Sequence, residues 1–283
     1  GDSENLTING NVSGFEITGN TVRDGNNIGI DAIGWEGTAP ANDQARNGLI
    51  ADNTVYNITS FGNPAYGNER SAGGIYIDGG RDIVIERNIV HHADIGIEVG
   101  CEHAGRTVSG VTVRNNFLYA NQVAGIAFGG YATGVGTAVN CVFRHNTLFK
   151  NDTTASDTGE VMIQKANNCT FTHNLLYCRG NPFEGGAIMF SNWFSTASTH
   201  DNTFDYNLYF VPVALSPVFV WANQSRTGLA AYQAASGQDA HALVADPQLA
   251  DPATPDLHLL ADSPAIDAGD PAFVADGGET DID

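Results

Sequence analysis

The sequence predicts an all-β solenoid, in which short strands and turns repeat coil after coil around one extended core. Three observations lead to this prediction: an asparagine motif that recurs every 28 to 35 residues, a second strand after each of its first six copies, and no long segment with helical periodicity. Asparagine, aspartate and glycine, with 33 glycines in 283 residues, supply the turns that such a chain needs.

The asparagine motif places an aliphatic or aromatic residue three positions before an Asn and two mostly apolar or β-branched residues after it. Its copies are ITGNTV, IADNTV, IERNIV, VRNNFL, FRHNTL, FTHNLL and FDYNLY, which contain Asn20, Asn53, Asn88, Asn116, Asn146, Asn174 and Asn207. We expect each Asn to occupy a turn position that tolerates left-handed backbone geometry. Its amide should bond to nearby backbone and to the asparagines of the adjacent coils.

The second strand of each coil is looser. Its copies are IGIDAIG, GIYIDGG, IGIEVGC, AGIAFGG, VMIQKAN and GAIMFSN. Together with the asparagine motifs, these strands resemble the right-handed parallel β-helix proteins of the pectate-lyase-like superfamily, which are carbohydrate-active. The resemblance extends from about residue 5 to residue 210, and it implies a parallel β-helix of about seven or eight coils.

The domain organisation follows from where the repeats stop. We expect residues 1–210 to form the β-helix, with an N-terminal cap missing from it. After residue 210 the composition changes, and residues 211–283 are predicted to form an irregular C-terminal cap that covers the exposed sheet edge. One short helix is predicted there, near Leu229 to Ala235.

The acidic composition excludes some partners. The formal net charge is −20 and only two residues are lysines, so we expect no nucleic-acid binding, which needs clustered Lys and Arg. No apolar run approaches the ~20 residues that span a bilayer. The opening GDSENLTING has neither a basic nor an apolar signal region, so we expect any signal peptide to lie upstream or to have been removed. The tail resembles those that follow β-helices in secreted bacterial proteins, which implies a secreted or periplasmic protein.

The cysteines and the missing motifs limit the cofactors. Cys141 and Cys169 each lie five residues before a motif asparagine, so they should stack inward on adjacent coils, about 4.8 Å apart. That distance suits either a disulfide or a pair of buried thiols. The chain has no CxxC spacing, phosphate loop or dinucleotide fingerprint, so neither structural zinc nor an organic cofactor is expected.

Three acids recur at the ends of the second strands. Aligned by their apolar alternation, these strands put Asp31, Asp78 and Glu98 in one outward column on successive coils, and Ala127 ends the acidic run. A second alignment, which pairs the Gly-Ile dipeptides, sets Asp78 beside Gly100 and leaves Asp78 and Glu98 on a diagonal.

Carboxylates about 4.8 Å apart repel each other, so one pKa rises or a cation lies between them. One chemistry that uses this arrangement is glycoside hydrolysis by two carboxylates, which are about 5 to 5.5 Å apart in retaining enzymes and about 6.5 to 9.5 Å apart in inverting ones. The other is a Ca²⁺ site, for which Asp31, Asp78 and Glu98 would be the ligands.

The segment GIYIDGG followed by DIGIEVGCEHAG resembles the active-site strands of the β-helical β-xylosidase-type glycoside hydrolases. The resemblance implies that Asp78 is the nucleophile and Glu98 the general acid/base, and we expect Asp31 to assist them. The match covers about 30 residues, and Gly79 stands where that family has an aromatic residue. On this basis the sequence predicts a glycoside hydrolase that acts on an oligo- or polysaccharide.

Long insertions flank the acids, at 34–48, 60–73 and 101–110, and insertions on one side of a solenoid often form its binding face. The predicted substrate-binding residues are Trp35, Glu36, Tyr66, Tyr76, Glu102, His103, Arg106, Gln164 and Lys165. Phe128, Tyr131 and Trp193 are expected further along the same face.

Two other functions stay open from the sequence. In a Ca²⁺-dependent polysaccharide lyase the acids would hold the ion, and Lys165, His103, Arg106 or Tyr66 would be the base that removes a proton. In a non-catalytic adhesin or carbohydrate-binding solenoid, the acids would lie apart and exposed.

Overall fold

The computed structural model describes residues 2–180 and 187–282, so Gly186 of the sixth second-strand copy lies outside the described residues. Three long sheets run along the chain, and each coil before the last contributes at least one strand to each of them. Except at the C-terminal end, the strands within these sheets pair in parallel with those of the next coil. The chain is therefore the predicted parallel β-helix.

Strands are numbered in chain order. The first sheet contains, in spatial order, β1 (Leu6–Asn9), β4 (Ile30–Ile33), β7 (Gly73–Asp78), β10 (Ile95–Gly100), β14 (Ala124–Phe128), β18 (Val161–Ile163), β22 (Ile188–Asn192), β25 (Val218–Trp221) and β26 (Gln224–Thr227). The second sheet contains β2 (Glu16–Thr18), β5 (Arg46–Ala51), β8 (Arg81–Glu86), β11 (Thr107–Ser109), β12 (Thr112–Arg114), β15 (Thr137–Val139), β16 (Val142–Arg144), β19 (Ala166–Asn167), β20 (Thr170–Thr172) and β23 (Thr203–Asp205).

The third sheet contains β3 (Thr21–Gly25), β6 (Thr54–Ile58), β9 (Ile89–Ala93), β13 (Phe117–Tyr119), β17 (Thr147–Phe149), β21 (Leu175–Tyr177), β24 (Leu208–Phe210) and β27 (Leu243–Val244). The remaining elements are the helix α1 (Leu229–Ser236) and an antiparallel pair, β28 (Leu249–Asp251) and β29 (Asp256–Leu259).

Apolar residues that alternate along all three sheets point inward and form one continuous core. In the second and third sheets the outward residues are largely solvated, as alternation predicts. The first sheet differs, because all six residues of β7 and all six of β10 are buried. Something therefore covers the outward face of the first sheet at these two strands, and this is the face that carries the predicted acids.

The predicted asparagine ladder is confirmed. The backbone N–H and side-chain amide of Asn88 both donate to Oδ1 of Asn116, at 2.9 and 3.0 Å, and Asn116 donates in the same way to Asn146. The last member, Asn207, donates to Asp239, which ends the ladder. The predicted left-handed geometry is wrong by one position, because positive φ occurs at the residue before each Asn, such as Asn115 at 55°. The turn at that residue orients the following amide along the helix axis.

A second, shorter ladder was not predicted from the sequence. The amide of Asn121 donates to Asn151, whose backbone N–H and side-chain amide both donate to the buried carboxylate of Glu160. Burial raises the pKa of Glu160 to about 8. In the same way, burial raises the pKa of Asp239 to about 6. Each ladder thus ends on a buried carboxyl group whose pKa is raised by burial.

The cysteine prediction is resolved in favour of buried thiols. Cys141 and Cys169 are free and buried, and the two thiols are hydrogen-bonded to each other. The rings of His145 and His173, in the turns of adjacent coils, are in contact, with centroids 5.1 Å apart.

The predicted boundary at residue 210 falls inside the solenoid. Strand β25 continues the first sheet in parallel with β22, and β27 continues the third sheet in parallel with β24. The predicted helix is present as α1, and its Tyr232 is buried against Phe190 and Phe219. The coil therefore closes at about residue 244, and α1 with the antiparallel strand β26 covers its end.

The rest of the tail lies along the side of the solenoid, whereas the sequence predicted that it would cap the end. We call residues 245–282 the strap. Its Leu249 and Leu257 pack on the third sheet against Phe149, Leu175, Tyr177 and Leu208. Further on, Asp276 and Glu279 form ion pairs with Arg114 and Arg144, whose side chains are only 9% exposed. The strap thus supplies the anions for two arginines stacked on adjacent coils.

No helix among the described residues has the length and apolar character needed to cross a membrane.

Replacing a central ladder residue should cost far more stability than replacing a terminal one. Asn116→Ala removes the hydrogen bonds to both neighbouring coils and should lower the free energy of unfolding by roughly 2–4 kcal/mol. The control is Asn20→Ala, because Asn20 is exposed and donates to one neighbour only. Chemical denaturation measures the free energy of unfolding of both variants. Equal losses of stability would mean that the ladder does not stabilise the stacking of the coils.

The strap should depend on its buried acid. Glu279→Gln removes the charge that faces Arg144, so hydrogen exchange in residues 270–282 should speed up by about tenfold. Asp281→Asn, at an exposed neighbouring acid, is the matched control and should leave the exchange unchanged. Unaltered exchange in Glu279→Gln would mean that the ion pairs do not hold the strap.

The buried ladder end should make stability depend on pH. The pKa of Glu160 is raised on folding, so its stabilising contribution is present below about pH 4.5 and is lost as the pH rises through about 8. Glu160→Gln stays neutral and should be more stable than the parent at pH 8 by about 2 kcal/mol, on the order of 5 °C in Tm. Glu16→Gln, at an exposed acid, is the control. Parallel Tm profiles from pH 5 to pH 8 for Glu160→Gln and the parent would contradict this prediction.

Candidate functional site

The register of the first sheet corrects the predicted column of three acids. Asp31 pairs with Tyr76, Tyr76 with Glu98, and Glu98 with Ala127. Asp78 lies two residues further along and pairs with Gly100. The three acids are therefore not stacked directly, and the second alignment, with Asp78 beside Gly100, is the one that the structure adopts.

A column of glycines explains this register. Gly29, Gly74, Gly96 and Gly125 lie on successive coils, where the backbones approach so closely that a side chain could not fit. A Cβ on Gly74 would lie 2.9 Å from the carbonyl oxygen of Gly96, and one on Gly96 would lie 2.4 Å from that of Gly125. A shift of two residues would keep the apolar alternation but would place larger residues in these contacts.

Asp78 and Glu98 are consequently diagonal neighbours on adjacent strands. One strand spacing and a rise of two residues put their Cα atoms about 8 Å apart. Oδ1 of Asp78 accepts a hydrogen bond of 3.0 Å from the backbone N–H of Glu102. Both acids are buried, with 5% of Asp78 and 8% of Glu98 exposed.

Burial shifts the protonation of these acids. It raises the pKa of Asp78 to about 7, although the hydrogen bond from Glu102 acts in the opposite direction. Burial, followed by the negative charges of Glu102 and Asp78, raises the pKa of Glu98 to about 8. Both carboxyl groups therefore hold their protons to a higher pH than an exposed acid does.

Asp31 lies in the same acidic environment. It is 2% exposed, and its Oδ1 has no hydrogen-bond partner among the described residues. Burial raises its pKa well above the ordinary value, and the nearby charge of Asp78 adds to this effect.

Tyr76 separates Asp31 from Glu98. Its ring extends over the next strand, where a Cβ on Gly100 would lie 3.2 Å from the phenol oxygen. Burial and the charge of Glu98 raise the pKa of Tyr76 well above its usual value, so the phenol stays protonated. Its phenol O–H is therefore a potential hydrogen-bond donor between Asp31 and Glu98.

A groove of about 350 Å³ opens over these residues. Its lining includes the predicted residues Asp31, Glu36, Tyr66, Tyr76, Asp78 and Glu102. The lining also includes residues that the sequence did not predict, Glu4, Thr7 and Asn9 at or near β1 and Ile28, Ile33 and Thr38 at or near β4. Thr7 could have been found by extending the strand alignment to β1, since it pairs with Asp31. Glu98 lies beside the groove without lining it.

Trp35 packs within the loops that cover this face. Its indole N–H donates to the carbonyl of Thr107 at 3.1 Å, and the guanidinium of Arg106 lies 4.6 Å from its ring centroid. Gly79 has φ 69°, and a Cβ there would lie 2.6 Å from Cδ1 of Trp35. This contact explains the glycine after Asp78: Trp35 occupies the space that a side chain would need.

Glu36 and His103 meet beside Asp78. Nε2 of His103 lies 2.9 Å from Oε1 of Glu36. One potential ligand atom from each of Glu36, Asp78 and His103 lies within 4.8 Å of the others. The predicted Ca²⁺ ligands, Asp31, Asp78 and Glu98, do not form such a cluster of ligand atoms among the described residues. Tyr76 lies between Asp31 and Glu98 and keeps them apart.

The predicted binding residues further along the sheet do not join the acids. Lys165 donates its ammonium protons to the carbonyls of Thr133 and Val135. It follows β18, two strands beyond β10 and therefore roughly 10 Å away. Gln164 is buried next to it, and its only described side-chain contact is with the sulfur of Met162.

The aromatic residues expected on this face separate into two kinds. The prediction that Phe128 lies on this face is wrong, because its side chain is buried in the core and stacks on Phe143, with ring centroids 4.4 Å apart. Tyr131 and Trp193 are exposed, at 52% and 47%. Tyr131 is near the acids, since the charges of Glu102, Asp78 and Glu98 add to the partial burial that raises its pKa.

Comparison with known proteins addresses the fold. A family model described as right handed beta helix region matches residues 3–143 and 47–217. The uncharacterized protein YwoF of Bacillus subtilis (strain 168) is 39% identical over 266 residues, which are 94% of this chain. The chain spans about half of that relative, 55% of its length.

Two solved structures are similar in outline. The A-module of the mannuronan C-5 epimerase AlgE4 from Azotobacter vinelandii is 14% identical, with a TM-score of 0.38 over 72% of this chain and 58% of its own. The alginate lyase from Paenibacillus sp. str. FPU-7 is 12% identical, with a TM-score of 0.37 over 74% of this chain and 89% of its own. Neither superposition is close enough to bear on the chemistry of this chain.

Proposed function

The chain belongs to the right-handed β-helix region family, and on this scaffold we propose that it hydrolyses a glycosidic bond of an oligo- or polysaccharide, with Glu98 as general acid and Asp78 as general base. The observation that carries the proposal is the pair itself. Two buried carboxyl groups, from the adjacent strands β7 and β10, lie at and beside a groove that is open to solvent. The secreted or periplasmic location predicted from the sequence belongs to the same proposal.

The diagonal register favours an inverting reaction over the nucleophilic role of Asp78 that the resemblance to β-xylosidases implied. The Cα atoms are about 8 Å apart, against about 5 Å for a direct cross-strand pair, and this wider spacing leaves room for the 6.5 to 9.5 Å between carboxyl groups in inverting enzymes, where a water must fit between base and sugar. Retaining enzymes need about 5 to 5.5 Å.

The two environments suit the two roles. Glu98 accepts no side-chain hydrogen bond from the described residues, and burial raises its pKa, so it is the group that donates a proton to the leaving oxygen. Asp78, which accepts a hydrogen bond from the N–H of Glu102, takes the proton of the attacking water. The water oxygen bonds to the anomeric carbon as the glycosidic bond breaks, and both acids return to their starting states by proton exchange with solvent. Tyr76 and Asp31 would hydrogen-bond the sugar hydroxyls.

The charge around the groove favours a neutral sugar. No lysine or arginine is among the residues that line it, whereas Glu4, Asp31, Glu36, Asp78 and Glu102 are. An acidic polysaccharide would be repelled here. The lyase alternative loses its lysine base as well, since Lys165 is bonded to loop carbonyls.

Removing either acid should abolish hydrolysis without unfolding the protein. We expect Asp78→Asn and Glu98→Gln to lower reducing-sugar release by about 10²- to 10⁴-fold, because each removes one proton-transfer step. The matched control is Asp82→Asn, at an exposed acid of β8, which should retain activity. A panel of neutral and acidic polysaccharides identifies the substrate, and NMR of the first product gives its anomeric configuration.

Three results would count against this proposal. Full turnover in both variants would remove the two acids from the mechanism. A retained anomeric configuration would reject the inverting pair. Unsaturated products, detected by their ultraviolet absorbance, would instead establish the lyase.

A further inference from the structure

We propose that the groove also binds one divalent transition-metal ion, through Glu36, Asp78 and His103. The ligand atoms of these three residues lie within 4.8 Å of one another, and Nε2 of His103 is already 2.9 Å from Oε1 of Glu36. Nitrogen and oxygen ligands lie about 2.0 to 2.2 Å from a zinc ion, so atoms that share an ion are separated by about 3 to 4 Å. Small side-chain rotations would bring the three residues to that spacing.

The fold brings these residues together from three successive coils. Asp78 is the last residue of β7, Glu36 lies three residues after the end of β4, and His103 lies three residues after the end of β10. These strands are neighbours in the first sheet, so their C-terminal ends meet at one edge. The site is thus formed by three adjacent coils of the β-helix and does not belong to a single loop.

Trp35 ties the two loops together. It precedes Glu36, has the strained φ of 73°, and donates its indole N–H to Thr107, just beyond the loop that holds His103. The backbone N–H of Arg106 donates to the carbonyl of His103 at 3.0 Å. These contacts hold Glu36 and His103 in place, which is what a preformed metal site requires.

An independent observation points to a cation in the groove. Asp31, which lines the groove with Glu36 and Asp78, is 2% exposed, and its Oδ1 has no hydrogen-bond partner among the described residues. A buried carboxylate oxygen without a donor is costly unless a cation or a proton compensates it. The groove lining contains no basic side chain that could do so. A metal ion at the neighbouring residues would supply the missing positive charge.

The ligand set indicates which ion is bound. Imidazole with two carboxylates suits Zn²⁺ or Mn²⁺, whereas Ca²⁺ takes six to eight oxygen ligands. Three protein ligands leave a coordination position open towards the groove. The ion-binding site goes beyond the proposed hydrolysis, because the ion would bind with or without turnover. If both hold, Asp78 would bind the ion through one carboxylate oxygen and accept the proton of the attacking water on the other, and the ion's charge would make that proton easier to remove.

Isothermal titration of the chelator-treated full chain tests the proposal, with Zn²⁺, Mn²⁺ and Ca²⁺ as separate probes. We expect one Zn²⁺ or Mn²⁺ per chain, at micromolar Kd or tighter, and at least tenfold weaker Ca²⁺ binding. His103→Ala and Glu36→Gln should each weaken binding by 10- to 100-fold. Both side chains are partly exposed, and Tm values would confirm that the variants fold.

The matched control is His200→Ala, which removes a surface histidine that is likewise paired with a carboxylate, at 2.7 Å from Asp201. It should leave the affinity unchanged. No ion binding, equal binding by His103→Ala and the parent, or a preference for Ca²⁺ would overturn the inference. Hydrolysis that depends on Asp78 and Glu98 without ion binding would leave the proposed function standing, whereas ion binding without hydrolysis would reject only the proposed function.

Discussion

The structure depends on a requirement of buried amides: every polar atom removed from water needs a partner, and here the partner is on the next coil. A central ladder asparagine such as Asn116 accepts hydrogen bonds from one neighbouring coil and donates hydrogen bonds to both. A coil that lost its register would therefore leave unpaired groups in both neighbours. This requirement keeps the turns that carry the ladder aligned from coil to coil.

The candidate site is a product of that alignment. The close approach of backbones at Gly74 and Gly96 selects one of two registers that have the same apolar pattern. In the selected register, Tyr76 stands between two acids and Asp78 lies on the diagonal to Glu98. The covering loops then exclude water from a face that would be solvated in an ordinary half-buried sheet, and the raised pKa values follow from that burial.

The sequence predicts the repeating parts of the molecule well, because each repeat is a local pattern with a physical reason. It could not choose between the two registers, since a shift of two residues preserves alternation, and only the distances at the glycines separate them. The sequence also could not predict contacts between loops. Glu36 and His103 are 67 positions apart in the chain, and no sequence pattern connects them. That Trp35 binds the substrate stays a prediction, and its ring packs against Arg106 and Gly79.

The strap changes how the solenoid can come apart. Stacked repeats ordinarily interact only with their neighbours, so an end can fray one coil at a time. Here a segment that leaves the last coil returns to Arg114, with the coils of Arg144 and His173 in between. Fraying from that end must first release contacts made several coils away. A linear array thereby gains a closed loop of interactions, and its C-terminal half should unfold as one cooperative unit.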